Sequence, residues 1–169
     1  KEIILYKKNR RLSLGPNITV TFENERTLSF QIQEIMRAER IVKDEQIKEE
    51  VEIYNGIMPP KNGLSATLFI EVTDEKLIKT VLNQFIGLTE NQTIFFDLNG
   101  KKIYAQFEEG REEEDKISSV HYIRFLFSDD DKKLFHQKGK IKLGINYKDY
   151  NYAELLSDEM LTSLIEDIN

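Results

Sequence analysis

The dipeptide Asn99-Gly100 constrains this chain more tightly than any other feature of its sequence. A two-residue hairpin loop of type I′ needs positive φ at both central positions, which Asn and Gly adopt at little cost. The turn sets an antiparallel register. Phe96 falls opposite Ile103 and Ile94 opposite Ala105 on one face, while Phe95 meets Tyr104 and Asp97 meets Lys102 on the other.

Strand and helix patterns surround this hairpin. The first dozen residues fit either, and Leu14-Gly15-Pro16-Asn17 then breaks the chain. Over 18–23 the alternation is strict, with Ile18, Val20 and Phe22 on one side. Asn24 is placed to cap a helix over 25–42, because its side-chain oxygen can accept from an orphan backbone N–H. A second helix, over 45–54, carries Ile47, Val51 and Tyr54 at helical spacing. Residues 64–72 read as a strand with Leu64, Ala66, Leu68, Ile70 and Val72 facing one way. Ser65, Thr67 and Glu71 face the other, as in a sheet with one wet face. Asp74 starts a helix that Gly87 stops. Then come a charged loop over 108–116, a long strand over 117–127, a short helix over 129–137 and a final strand over 141–147. Ser157 caps a closing helix with Leu161, Leu164, Ile165 and Ile168 on its apolar side. The class is therefore α+β: one domain over 1–169, a largely antiparallel sheet of about six strands packed by about four to five helices. The chain begins on Lys1, so a natural start upstream of the 1–13 segment is left open.

Composition removes several kinds of chemistry. With no cysteine among 169 residues, the chain cannot form disulfides, thiolate metal sites, iron–sulfur ligation or a cysteine nucleophile. Its formal net charge of -6 disfavours nucleic acid, whose phosphates are bound mainly by Lys and Arg. One short basic run, Lys7, Lys8, Arg10 and Arg11, reads as a solvated terminal face or a phosphate contact. No apolar stretch reaches the ~20 residues of a membrane span, and no signal-peptide pattern is visible. A cytoplasmic protein is expected. Phosphate loops, GxSxG elbows and HExxH helices are absent, and no cofactor is expected.

Two polar residues fall where apolar ones belong. Leu28, Ile32, Ile35 and Val42 form one stripe of the 25–42 helix, and Glu39 sits within it. A core-facing carboxylate must be paired, hydrogen-bonded or protonated. Glu39 then reads as a buried ion pair, a perturbed acid or a metal ligand. His121 shares a strand face with Ile117, Ile123, Phe125 and Phe127, which suits a satisfied core histidine or a general base. Arg37, Arg124 and Glu34 complete a candidate cluster, with Tyr54 and Asn55 at the end of the second helix able to line a pocket.

The residues also resemble a known family. Leu14-Gly15-Pro16, Phe22-Glu23-Asn24, Phe30-Gln31-Ile32-Gln33-Glu34 and Arg37-Ala38-Glu39-Arg40-Ile41 look like the uncharacterised bacterial family called domain of unknown function 3501. Tyr54-Asn55, Ala66-Thr67, Ile70-Glu71, Ser119-Val120-His121, Arg124-Phe125 and Leu143-Gly144-Ile145 fit it too. The resemblance implies an accessory or binding protein linked to oxidative stress, with rubrerythrin or an iron–sulfur oxidoreductase as partner. Family members often carry a His near the final strand, where this chain has Asn146-Tyr147, so no two-histidine metal site is implied. The alternative is a small-molecule enzyme or ligand binder built on a buried Glu39–His121–Arg cluster.

Overall fold

Residues 2–90, 92–109, 112–113, 116–137 and 139–168 are described by a computed structural model. The chain begins with α1 (Glu2–Lys8), β1 (Arg11–Leu14), β2 (Ile18–Glu23), α2 (Glu25–Ala38), α3 (Asp44–Asn55) and β3 (Gly63–Ile70). A 3-10 turn capped by Asp74 leads into α4 (Ile78–Gln84), followed by β4 (Ile94–Leu98), β5 (Lys101–Tyr104) and β6 (Gln106–Phe107). Two short strands, β7 (Glu112–Glu113) and β8 (Lys116–Ile117), pair across the end of the charged 108–116 stretch, part of which lies outside the described residues. The rest is β9 (Val120–Leu126), α5 (Asp129–His136), β10 (Ile141–Tyr147), β11 (Tyr150–Leu155) and α6 (Asp158–Ile168).

The hairpin forms in the expected register. Asn99 and Gly100 take φ of 56° and 104°, and Phe95, Phe96 and Asp97 pair with Tyr104, Ile103 and Lys102. The Ala105 N–H donates to the Ile94 carbonyl at 2.8 Å. Beyond Ala105 the chain changes sheets, because Gln106 and Phe107 pair with β9 instead. The strands form a five-stranded sheet, β1-β2-β3-β9-β6, and a four-stranded one, β11-β10-β4-β5, with every ladder antiparallel. The α+β class holds. β11 extends the sheet past the strand expected to be last; its residues are mostly exposed, so no apolar alternation marks it. Gly144 on β10 faces Phe95, whose ring would sit 2.5 Å from a Cβ there, so this position excludes a side chain.

The inner faces of the two sheets share one core. Phe96 of β4 meets Phe22 of β2 at 5.6 Å between ring centres and Phe125 of β9 at 4.5 Å. Phe135 of α5, Phe85, and Met160, Leu161, Leu164 and Ile168 of α6 close it. The four α6 residues follow helical spacing, and Ser157 caps that helix through the Met160 N–H at 3.1 Å.

Arg10 overturns the reading of the basic run as a solvated face. Its side chain is fully buried. Nε donates to the Phe22 carbonyl at 3.0 Å, Nη1 to Ser163 Oγ at 2.9 Å, and Nη2 pairs with Asp167. One guanidinium thereby joins the N-terminal segment to β2 and to the closing helix.

At the start of α5, Ser128 and Asp131 form a reciprocal capping box, and Lys101 pairs with Asp131 at 2.6 Å. Burial alone would raise the Asp131 carboxyl, but hydrogen bonds from Lys101 and from Ser128 outweigh it and hold the group below its ordinary value. A carboxyl lowered on folding adds stability that is complete above its unfolded pKa, about 4, and is lost as pH falls through the folded value. Asp131→Asn should therefore flatten the acid limb of a urea-unfolding series below about pH 4. An unchanged slope would remove Asp131 from the account of acid stability.

Candidate functional site

Register defines the outer face of the five-stranded sheet. One row runs Arg11, Thr21, Thr67, Tyr122 across β1, β2, β3 and β9; the next runs Glu23, Ser65, Arg124, Gln106 from β2 to β6. This polar face was expected to be wet. Instead α2 and α3 cover much of it, with Leu28, Ile32, Ile35, Tyr54, Ile57 and Met58 packing around Tyr122. Thr21, Glu23, Ser65 and Thr67 are consequently buried. Alternation reports which residues share a face, but not what lies over it.

Glu23 is the chemically unusual member of this lattice. It is 4% exposed, and its Oε2 accepts from Thr67 Oγ1 at 2.8 Å. Oε1 is buried and has no hydrogen-bond partner among the described residues. Such an oxygen is costly, since folding has removed its water without supplying a donor. Glu23 lines a cavity of about 420 Å³ between α2 and the sheet, within the size range of small-molecule sites. Gln31, Thr67 and Tyr122 add polar groups to the wall, and Phe30 and Phe69 add rings. Lys7 and Arg11 stand among the lining residues as well, with the Lys7 ammonium 5.9 Å from the centre of the Phe30 ring.

Tyr54 lies beside this group under the helices. Burial raises its hydroxyl above the ordinary tyrosine value, with Tyr122, Glu50 and Glu23 adding to the effect and a hydrogen bond with Gln31 opposing it. The phenol is thus kept neutral, able to donate. A second cavity of about 400 Å³ lies on the other side of Tyr122, between the end of α3 and the β9–β6 edge. Arg124 lines it and donates through Nη2 to the Gly56 carbonyl.

The sequence-derived candidates separate. Glu39 is exposed, because α2 ends at Ala38, four residues before the expected stop. Arg40 turns into the left-handed region at φ 53°, and the Ile41 N–H donates back to the Met36 carbonyl at 2.9 Å, which closes the helix as a Schellman motif. The periodic stripe continues past that end, which made Glu39 look core-facing. His121 is 1% exposed and points the opposite way, into the inter-sheet core, with Nε2 donating to the Ser118 carbonyl at 2.7 Å and Phe107 packed edge-on. Glu39 and His121 therefore lie on opposite sides of one sheet and form no cluster. Arg37 is exposed and pairs with Glu34 at 2.9 Å; Asn55 is exposed. Glu34 does line the Glu23 cavity, and Tyr54 and Arg124 share the outer face with it. Glu23 and Thr67 were missed. Their signal was the polar residue at every second position of two strands that pair with each other, Thr19, Thr21 and Glu23 against Ser65 and Thr67.

Among solved structures, one of a protein of unknown function from Burkholderia pseudomallei K96243 is similar, with a TM-score of 0.89 and 27% identity over 99% of this chain and 88% of that one. No curated protein matches the sequence. The segments around Glu23, Gln31, Tyr54 and Thr67, by which the chain resembles a family, meet at one covered sheet face, and the match to that family's sequence model runs over residues 1–168. The chain belongs to the family described as Protein of unknown function (DUF3501).

Proposed function

We propose that this is a cytoplasmic accessory protein that binds a small polar molecule in the cavity between α2 and the five-stranded sheet. One observation carries the reading: Glu23 Oε1, a buried carboxylate oxygen without a donor, belongs to a side chain that lines a ligand-sized space. Oε1 itself has no open surface, so a ligand N–H or O–H would satisfy it by drawing the carboxyl round toward the space. Binding is favoured over catalysis because no histidine among the described residues lines the cavity and the chain has no thiol to act as nucleophile. The same lack of cysteine suits a role beside redox proteins, with electrons and clusters held by rubrerythrin or an iron–sulfur oxidoreductase, the partners that the family resemblance implies.

Amide shifts of the isotope-labelled protein, followed across a panel of small polar metabolites, test the site. A true ligand should move the amides of Glu23, Gln31, Thr67 and Tyr122, and at 100-fold excess over its Kd raise stability by about 2.7 kcal/mol. Glu23→Gln should abolish both responses. Shifts that fall only on other surfaces would defeat this reading. The partner is tested separately, by co-purification from cells; repeated failure to recover either redox protein would count against that setting.

A further inference from the structure

We infer that the ligand is a small zwitterion, an amino-acid-like molecule with its ammonium toward Glu23 and its carboxylate toward Lys7 and Arg11. This rests on the binding reading above and adds the chemical class. Arg11 pairs across the ladder with Thr21, and Glu23 follows Thr21 by two residues on the same face. Arg11 and Glu23 are therefore diagonal neighbours, about 7–8 Å apart with their Cβ atoms somewhat closer. Glu23 is buried, Lys7 half-buried and Arg11 exposed, so a carboxyl side chain lies at the floor, its Oε1 reached by a turn of that side chain, and positive groups stand at the mouth. The other acid in the lining, Glu34, is engaged by Arg37 at 2.9 Å. Among the described residues no ion pair engages Lys7 or Arg11. A simple cation would meet two positive side chains on entry and gain no contact from them. A simple anion would carry its charge toward Glu23 and leave Oε1 without a donor. A molecule carrying both charges engages floor and mouth together, while Phe30, Phe69 and Tyr122 pack its carbon chain.

Four probes sharing one carbon skeleton test the class: γ-aminobutyrate, butylamine, butyrate and butanol, each titrated into the isotope-labelled full chain. γ-Aminobutyrate should shift the cavity amides at a concentration about tenfold below that needed for either singly charged probe, the equivalent of one added charged contact. Lys7→Gln with Arg11→Gln should erase its advantage over butylamine, and Glu23→Gln its advantage over butyrate. If butylamine, butyrate or butanol binds there as well as γ-aminobutyrate, the zwitterion is wrong and the binding site stands. If none of the four binds, the class is overturned. If, in addition, Arg11→Gln and Glu23→Gln show strong coupling in unfolding of the ligand-free protein, Arg11 is itself the donor to Glu23, and the binding reading falls too.

Discussion

Arg10→Met lowers the unfolding free energy by about 3–5 kcal/mol, the usual consequence of removing one partner from a buried ion pair. The guanidinium is fully buried and supplies donors to the Phe22 carbonyl, to Ser163 and to Asp167. Without it, the Phe22 carbonyl and Ser163 lose a donor, and Asp167 keeps a largely buried charge that lacks its counter-ion. Asp167 retains one contact, from Asn24 Nδ2 at 3.0 Å, which also caps α2, so the damage extends to the start of that helix. For a chain of this length the melting temperature should fall by about 6–20 °C. The double variant Arg10→Met with Asp167→Leu should recover much of the loss, because an apolar pair needs no donors. Urea unfolding at constant m-value reads both. A single variant within about 0.5 kcal/mol of the parent, the range of ordinary surface changes, would show that the guanidinium is solvated.

Phe96→Ala costs a similar amount, about 3–5 kcal/mol, for a different reason. Phe96 belongs to the four-stranded sheet, yet its ring touches Phe22 and Phe125 of the other sheet and Phe135 of α5. Truncation removes apolar burial and leaves a cavity that neither sheet can close, since both are fixed by their own ladders. Phe96→Leu keeps most of the volume and should cost less than about 1.5 kcal/mol. By contrast Phe69, on the outer face and 37% exposed, has far less burial to lose. Equal losses at Phe96 and Phe69 would contradict the placement of the core between the sheets.

What the sequence made legible was local. Asn99-Gly100 announces its turn through backbone sterics, and its register follows with no knowledge of the remaining chain. Asn24, Ser128 and Ser157 cap helices through contacts three residues away, and the first and last were readable for that reason. His121 was readable as a core residue because its strand neighbours at every second position are apolar. The features that failed are long-range. Glu23 becomes buried only because β2 pairs with β3 and two helices fold across both strands. Arg10 finds Asp167 across almost the whole chain. Glu39 failed locally: Arg is an uncommon residue for a left-handed helix stop, so the end of α2 at Ala38 carried no Gly or Asn to mark it.

In the binding reading, Glu23 is kept for a ligand at the expense of stability. The unfolding free energy of Glu23→Met with Thr67→Val, measured beside the parent in urea, tests it most directly. That double variant removes the unpaired oxygen together with the Thr67 hydroxyl that donates to the carboxylate, and fills the space with apolar groups of similar volume. The variant should be as stable as the parent or up to about 2 kcal/mol more stable, while losing every ligand-induced amide shift at the cavity. A loss of about 3 kcal/mol or more would show instead that the Glu23 carboxylate holds the sheet together, and would contradict the account.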